Sequence, residues 1–354
     1  MTVYAGRVVV VGDNLIRSDK LVADCEPFRA RGYEIVALDW LAANLTQMQE
    51  WNIQIERDGP EAVPTAEGLV EAARQADVVI THYCPVPRRV IQAGSKLKVI
   101  AVARGGVENI NVEAATEHEI AVVHIVGRHA SAVAELTVGL MLAETRHIGR
   151  AHAAIQQGRW YRDDLEADEC IELNGKTVGL IGFGAVGRVV ARRMAGFDVR
   201  LIAYDPYVPD EVMRQFNAAP IDLEVLLRES DIVSLHARLW SETRGMIGAR
   251  ELALMKPTAY LINTARAGLV DEAALLEALQ TRSIRGAAMD VYSYEPLPAD
   301  HPLCRLDNVT LTAHQAGSTQ NVLENTTRFV AQAAYRCLFE GWMEWTINHK
   351  EGFR

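Results

Sequence analysis

Short apolar runs alternate with stretches of helical period along this chain. Before residue 125 the runs fall at 8–11, 34–38, 78–81, 99–103 and 121–124, and they read as strands. Strands separated by helical patterns predict βαβ units and a parallel sheet. The rhythm resumes at 178–181 and 199–204, then at 232–235, 259–262, 286–289 and 309–312. Between the two blocks, residues 129–150 read as one long helix. Val133, Leu136, Leu140 and Met141 form its stripe, and it is apolar over much of its circumference. Such a helix is buried or lies in a subunit interface. A polar segment, 158–173, follows. Residues 319–345 read as a C-terminal helix that returns to the first block, with Val322, Thr326, Phe329, Val330, Ala333 and Ala334 on its buried face.

The most specific stretch is 176–205, KTVGLIGFGAVGRVVARRMAGFDVRLIAYD. An apolar run leads into Gly182, Gly184 and Gly187 of a G-x-G-x-x-G, then a helical pattern, then a second run ending in Asp205. Gly182 permits the tight strand-to-helix turn. Gly184 lets a dinucleotide pyrophosphate approach the backbone, and Gly187 lets the helix pack closely on the strand. The helix N-terminus offers free N–H groups and partial positive charge to the phosphates. Asp205 can accept hydrogen bonds from both hydroxyls of an adenosine ribose, and it would repel a 2′-phosphate, so NAD is expected over NADP. The fold class this predicts is α/β, with two Rossmann-like domains built on parallel sheets. Residues 1–125 plus 319–354 form one domain and 126–318 the NAD-binding one.

Bulk properties narrow the field. The chain has 354 residues, enough for two domains, and a net charge of −10 that offers no basic footprint for nucleic acid. Five scattered cysteines without C-x-x-C spacing fit a reducing cytoplasm and argue against a zinc site. The N-terminus lacks the pattern of a signal peptide. No run reaches the ~18 uncharged apolar residues of a membrane span.

Polar residues stand just past the carboxyl end of each later strand: His236, Thr264 with Arg266, Asp290, and His314. In an open parallel sheet that edge binds ligands. A dinucleotide site implies hydride transfer, which needs a proton donor to the carbonyl oxygen. His314, in a polar turn, is the best candidate. Glu295 could bond its ring and raise its pKa. Arg266 could hold a substrate carboxylate and polarise the adjacent carbonyl. Taken singly, each has a plainer reading: a hydrogen-bonded loop histidine, a solvated turn glutamate before Pro296, and an arginine in a salt bridge with Asp271 or Glu272.

Four segments carry a wider resemblance: ELNGKTVGLIGFGAVGR at 172–188, LINTARAGLVDEAALLEAL at 261–279, AAMDVYSYEPLPADHPL at 287–303 and LTAHQAGST at 311–319. With them the chain resembles the D-isomer-specific 2-hydroxyacid dehydrogenases, including phosphoglycerate dehydrogenase-like enzymes, over roughly 97–338. The resemblance implies a catalytic set of Arg266, Glu295 and His314, with cofactor and active site in an interdomain cleft. It further implies that Ala185 and Val186 present amides to the pyrophosphate, that His236 and Thr264 line the site, and that Asp290 holds the nicotinamide carboxamide. A capped strand end is the other reading of Asp290. A homodimer through the 129–150 helix is expected on the same grounds.

The family binds the substrate carboxylate through a loop matching 102–110 here, which makes Arg104, Gly105 and Gly106 candidate substrate-binding residues. Arg104 stands where the family usually has Gly. It either supplies a cation for a second acidic group or phosphate, or turns away to pair with Glu108. Val102 stands where serine-pathway phosphoglycerate dehydrogenases carry Arg, which speaks against 3-phosphoglycerate. The expected function is interconversion of a D-2-hydroxy acid and its 2-keto acid, with a sugar acid or phosphorylated acid among the candidate substrates. The alternative is an NAD(H)-sensing binding protein of the corepressor type. A formate dehydrogenase-like enzyme is disfavoured, since those usually have Gln where Glu295 stands.

Overall fold

The computed structural model describes residues 4–161 and 170–348. The chain divides into two compact units. One runs to Arg128 and takes up the chain again from Gln320; the other is His129–Thr319.

The first unit holds β1 (Gly6–Gly12), β2 (Tyr33–Asp39), β3 (Val78–Thr81), β4 (Val99–Val102) and β5 (Ala121–His124). They pair in the order β2-β1-β3-β4-β5, all parallel. Successive side chains point to opposite faces. Val9, Val11, Val79, Ile100 and Val102 join Ile55, Leu69 and Val90 in one core. Val8, Val10, Val78, Ile80 and Ala101 join Leu21, Phe28, Val330 and Ala334 in another. Both faces are covered, so the strands read as unbroken apolar runs rather than as alternations. Helix Gln320–Glu340 packs on β3, β4 and β5. It stops short of the expected residue 345 at Gly341, whose φ of +66° ends the helix.

The second unit holds β6 (Thr177–Ile181), β7 (Arg200–Tyr204), β8 (Ala218–Pro220), β9 (Ile232–Leu235), β10 (Tyr260–Asn263), β11 (Gly286–Met289) and β12 (Val309–Leu311). Their order is β12-β11-β10-β9-β6-β7-β8, again all parallel. The order reverses at β6, a topological switch point. Strand β8 has no apolar-run signature. It has three residues, ends in proline, and lies at the sheet edge, where a missing N–H is tolerated.

The single helix expected over 129–150 is two: Ala130–Thr145 and Ile148–Gln156. Ile171 donates its amide to Thr145 O at 3.1 Å, taking the carbonyl that a continuing helix would use. His147 then adopts φ +53°. Of the expected stripe, Leu140 and Met141 are buried, together with Ala130, Ala132, Ala134, Thr137, Val138, Glu144 and Thr145, while Val133 and Leu136 are half-buried. The middle of the polar segment 158–173 lies outside the described residues. Among the described residues no helix is long and apolar enough to cross a membrane.

Candidate functional site

All strands of the second sheet run the same way, so the residues after them share one edge. Gly182 follows β6 with φ +93°, and a Cβ there would sit 2.5 Å from the Ala237 amide nitrogen. The turn after β6 therefore abuts the turn after β9, across the switch point, and only glycine fits. A Cβ at Gly187 would meet Gly182 O at 2.4 Å, which accounts for the third glycine. Beside Gly184 there is open space, room for a ligand against the backbone. Helix Ala185–Met194 begins there without a side-chain cap, so the amides of its first turn, including Ala185 and Val186, remain available to an anion. Asp205 follows β7. Its Oδ2 accepts the Phe183 amide at 2.7 Å and its Oδ1 the Tyr207 amide at 2.9 Å. Each oxygen keeps a lone pair, so the carboxylate is oriented by the glycine turn and still able to accept from a ribose. These features fit a dinucleotide of the NAD type.

His236 follows β9. Its Nε2 lies 3.0 Å from Ser234 Oγ, and its Nδ1 is buried without a partner among the described residues. Burial pushes its pKa down to about 4, so the ring is neutral at neutral pH. Thr264 follows β10, buried, its Oγ1 2.7 Å from Thr137 Oγ1.

Arg266 is exposed. Its Nη1 donates to the neighbouring Ala265 O at 2.7 Å, and Asn263 holds its backbone by donating to Arg266 O at 3.0 Å. The two acids suggested as its salt-bridge partners are engaged elsewhere. Asp271 caps helix Glu272–Gln280, and Glu272 meets His301 at 3.3 Å. The side chain is exposed, with no carboxylate paired to it among the described residues.

His314, after β12, adopts φ +47° and is half exposed. Its Nδ1 lies 2.7 Å from Glu295 Oε2, and Glu295 Oε1 accepts the Tyr292 amide at 3.0 Å. The carboxylate is an acceptor, so the ring proton sits on Nδ1 and Nε2 faces outward. Asp290, after β11, is fully buried. Its Oδ1 accepts from Thr312 Oγ1 at 2.6 Å and the Gln315 amide at 3.0 Å, and its Oδ2 accepts the Ala316 amide at 2.9 Å. Asp290 thus anchors the turn that carries His314.

In the first unit the loop after β4 departs from one expectation. Arg104 is 9% exposed and lies over the Tyr83 ring. It donates to Asn52 at 2.9 Å and Glu56 at 3.0 Å, and pairs with Glu108 at 3.2 Å. With two carboxylates already matched to it, it is not the free cation for a second substrate anion. The amides of Gly105 and Gly106 have no protein acceptor among the described residues. The same edge carries a set that the sequence reading did not single out: Asp13 after β1, His82 after β3, and Arg128. The signal was available, since Asp13 and His82 follow apolar runs just as His314 does.

Burial also lowers the pKa of His82 below its ordinary value. At acidic pH the unfolded chain binds protons at His82 and His236 that the folded chain refuses, so stability is lost as pH falls. The midpoint of thermal unfolding is expected to drop from pH 6.5 downward, the His236 part being complete near pH 4. His236→Asn should make the fall shallower; an unchanged slope in that variant counts against the assignment.

Residues 138–316 match the family model for the D-isomer specific 2-hydroxyacid dehydrogenase NAD binding domain. A D-3-phosphoglycerate dehydrogenase of Methanocaldococcus jannaschii is 44% identical over 77% of this chain and 52% of its own length. The chain thus spans about half the length of that relative. A hydroxypyruvate reductase of Thermotoga maritima is 40% identical over 71% of this chain and 81% of its own. Among solved structures, the NAD-complexed D-isomer specific 2-hydroxyacid dehydrogenase of Lactobacillus delbrueckii subspecies bulgaricus is 26% identical. It aligns with a TM-score of 0.75, covering 96% of this chain and 99% of that one. The glycine turn, the strand order and these matches agree: the chain belongs to the D-isomer-specific 2-hydroxyacid dehydrogenase family, and residues 138–316 are its NAD-binding domain.

Proposed function

We propose that this protein is an NAD-dependent oxidoreductase that interconverts a D-2-hydroxy acid and its 2-keto acid. The observation that carries the reading is the 2.7 Å pair of His314 with Glu295, on the same sheet edge as an Arg266 that has no acidic partner among the described residues. NAD, when bound, supplies the hydride acceptor or donor. Arg266 binds the substrate carboxylate and polarises the carbonyl beside it. In reduction, doubly protonated His314 gives the Nε2 proton to the carbonyl oxygen. In oxidation its neutral ring takes a proton from the alcohol. Glu295 accepts the Nδ1 proton, which fixes the tautomer and the direction of Nε2. His236 cannot serve as the acid, because burial keeps it neutral until about pH 4.

In the first unit, the Gly105 and Gly106 amides, which have no protein acceptor among the described residues, suit a carboxylate. Ala185 and Val186 take the pyrophosphate, and Asp205 the adenosine ribose. His236 and Thr264 line the cofactor site. The family resemblance adds a contact from Asp290 to the nicotinamide amide, for which one Oδ2 lone pair remains. A homodimer is part of the proposal, supported by Ile148, Ile155 and Trp160, which are 55%, 51% and 66% exposed just past the Ala130–Thr145 helix. The free state of all five cysteines suits a reducing cytoplasm.

The test is oxidation of NADH with a panel of 2-keto acids that includes hydroxypyruvate, glyoxylate and phosphorylated and sugar-derived acids. Turnover with a small unphosphorylated 2-keto acid is expected. No oxidation across the panel, with NADH binding intact, overturns the proposal in favour of a nucleotide-sensing protein.

A further inference from the structure

The loop after β4 is held in an unusual way. Three successive carbonyls, those of Ala103, Arg104 and Gly105, are each claimed by a different protein donor. Arg128 Nη1 donates to Ala103 O at 2.7 Å. The Ile125 amide donates to Arg104 O at 3.1 Å. His124 Nδ1 lies 2.6 Å from Gly105 O and must carry a proton there, since a carbonyl only accepts. A peptide plane whose carbonyl is fixed has its N–H fixed the opposite way. Holding these three carbonyls therefore sets the direction of the Arg104, Gly105 and Gly106 amides.

The donors are themselves positioned. Arg128 Nη1 also lies 3.2 Å from His82 Nε2 and 3.4 Å from Thr326 Oγ1. His82 Nδ1 lies 2.9 Å from Asp13 Oδ2. A guanidinium only donates and a carboxylate only accepts, so His82 is neutral with its proton on Nδ1. Asp13 further accepts the amides of Leu15 and Ile16 at 2.9 Å each and that of Tyr83 at 3.2 Å. Asp13 and His82 are essentially inaccessible to solvent. One negative and one positive charge bracket a neutral ring, and polar groups left unpaired at this depth would be costly. The chain of bonds runs from the end of β1, through the end of β3, to the carbonyl that opens the loop.

We infer that Asp13, His82, Arg128 and His124 are positioning residues for the substrate carboxylate: Arg128 fixes the carbonyl of Ala103 and His124 that of Gly105, on either side of the Arg104 carbonyl held by the Ile125 amide, so that the Gly105 and Gly106 amides face the ligand. The inference rests on the proposed function for its substrate. Its geometry does not.

Four variants of the full chain test it: His124→Ala, His124→Asn, Arg128→Met and Arg128→Lys. Asparagine can still donate to Gly105 O, and lysine keeps one donor for Ala103 O. Losing a single hydrogen bond that orients the binding amides should raise KM for the best 2-keto acid about tenfold in His124→Ala and Arg128→Met, with kcat and KM for NADH within about twofold. His124→Asn and Arg128→Lys should restore most of the loss. Hydrogen exchange at the Ile125 amide, which is bonded to the loop, should quicken in His124→Ala while Val9 and Val79 in β1 and β3 keep their rates. An unchanged keto-acid KM in active variants overturns the inference. So does faster exchange at Ile125, Val9 and Val79 together, which marks general loosening of the sheet. If the wild-type protein reduces no 2-keto acid, the proposed function falls, and the exchange pattern alone decides whether these residues hold the loop.

Discussion

Replacing His314 with glutamine should lower turnover by about 10²–10⁴-fold while NADH binding stays within about twofold of wild type. Glutamine keeps a comparable reach and can donate a hydrogen bond, but it cannot exchange a proton with substrate. The glycine turn at 182–187 and Asp205 follow β6 and β7, away from β12 in the strand order, so cofactor affinity should survive. Steady-state NADH oxidation with the best 2-keto acid and a fluorescence titration of NADH make the two measurements. Near-normal turnover in His314→Gln would remove the histidine from the chemistry and with it the proposed mechanism.

The second large effect is expected at Asp290. Asp290→Asn replaces one acceptor oxygen with an NH₂ group among three protein donors: Thr312 Oγ1 and the amides of Gln315 and Ala316. At least one buried donor is left facing another, at about 1–3 kcal/mol. The loss falls on the turn that keeps His314 at φ +47°, a left-handed conformation that a residue with a Cβ holds only at some cost. The thermal midpoint should therefore fall, and turnover should fall with it by about tenfold or more, as misplacement of a catalytic group demands. NADH affinity should fall by no more than a few-fold, because the asparagine keeps one acceptor oxygen that can meet the nicotinamide amide. The opposite pattern, a collapse of NADH affinity with an unchanged midpoint, would make the nicotinamide amide, rather than the His314 turn, the main partner of Asp290.

The strands, the glycine turn and the placement of His314 and Arg266 past strand ends were legible because each depends on local pattern. Val178, Leu180 and Ile181 are buried because the run is apolar, and Gly182 turns because nothing larger fits. His314 and Arg266 could be found because residues just past parallel strands share one edge. What escaped depends on distant partners. For Arg104 the pair with Glu108 was one of two open readings, but Asn52 and Glu56, 52 and 48 residues earlier in the chain, were not visible in it. The break at His147 comes from Ile171 reaching back to Thr145 O, which no helical period records. Asp290 stood at a strand end like the others, yet its three bonds reach 22 to 26 residues ahead.

The division of the chain also bears on the order in which the protein forms. The second unit is one continuous stretch, His129–Thr319, whereas the first needs residues from both sides of it. Until helix Gln320–Glu340 arrives, the face of the first sheet made by Val8, Val10, Ile80 and Ala101 lacks Val330 and Ala334. Domains tend to fold as units while the chain emerges from the ribosome, N-terminal segments first. Here the segment made first must wait with apolar surface uncovered, and the segment made second is the first that can complete its core. The earliest point at which a nascent chain could capture dinucleotide thus precedes completion of the unit bearing the Gly105–Gly106 loop.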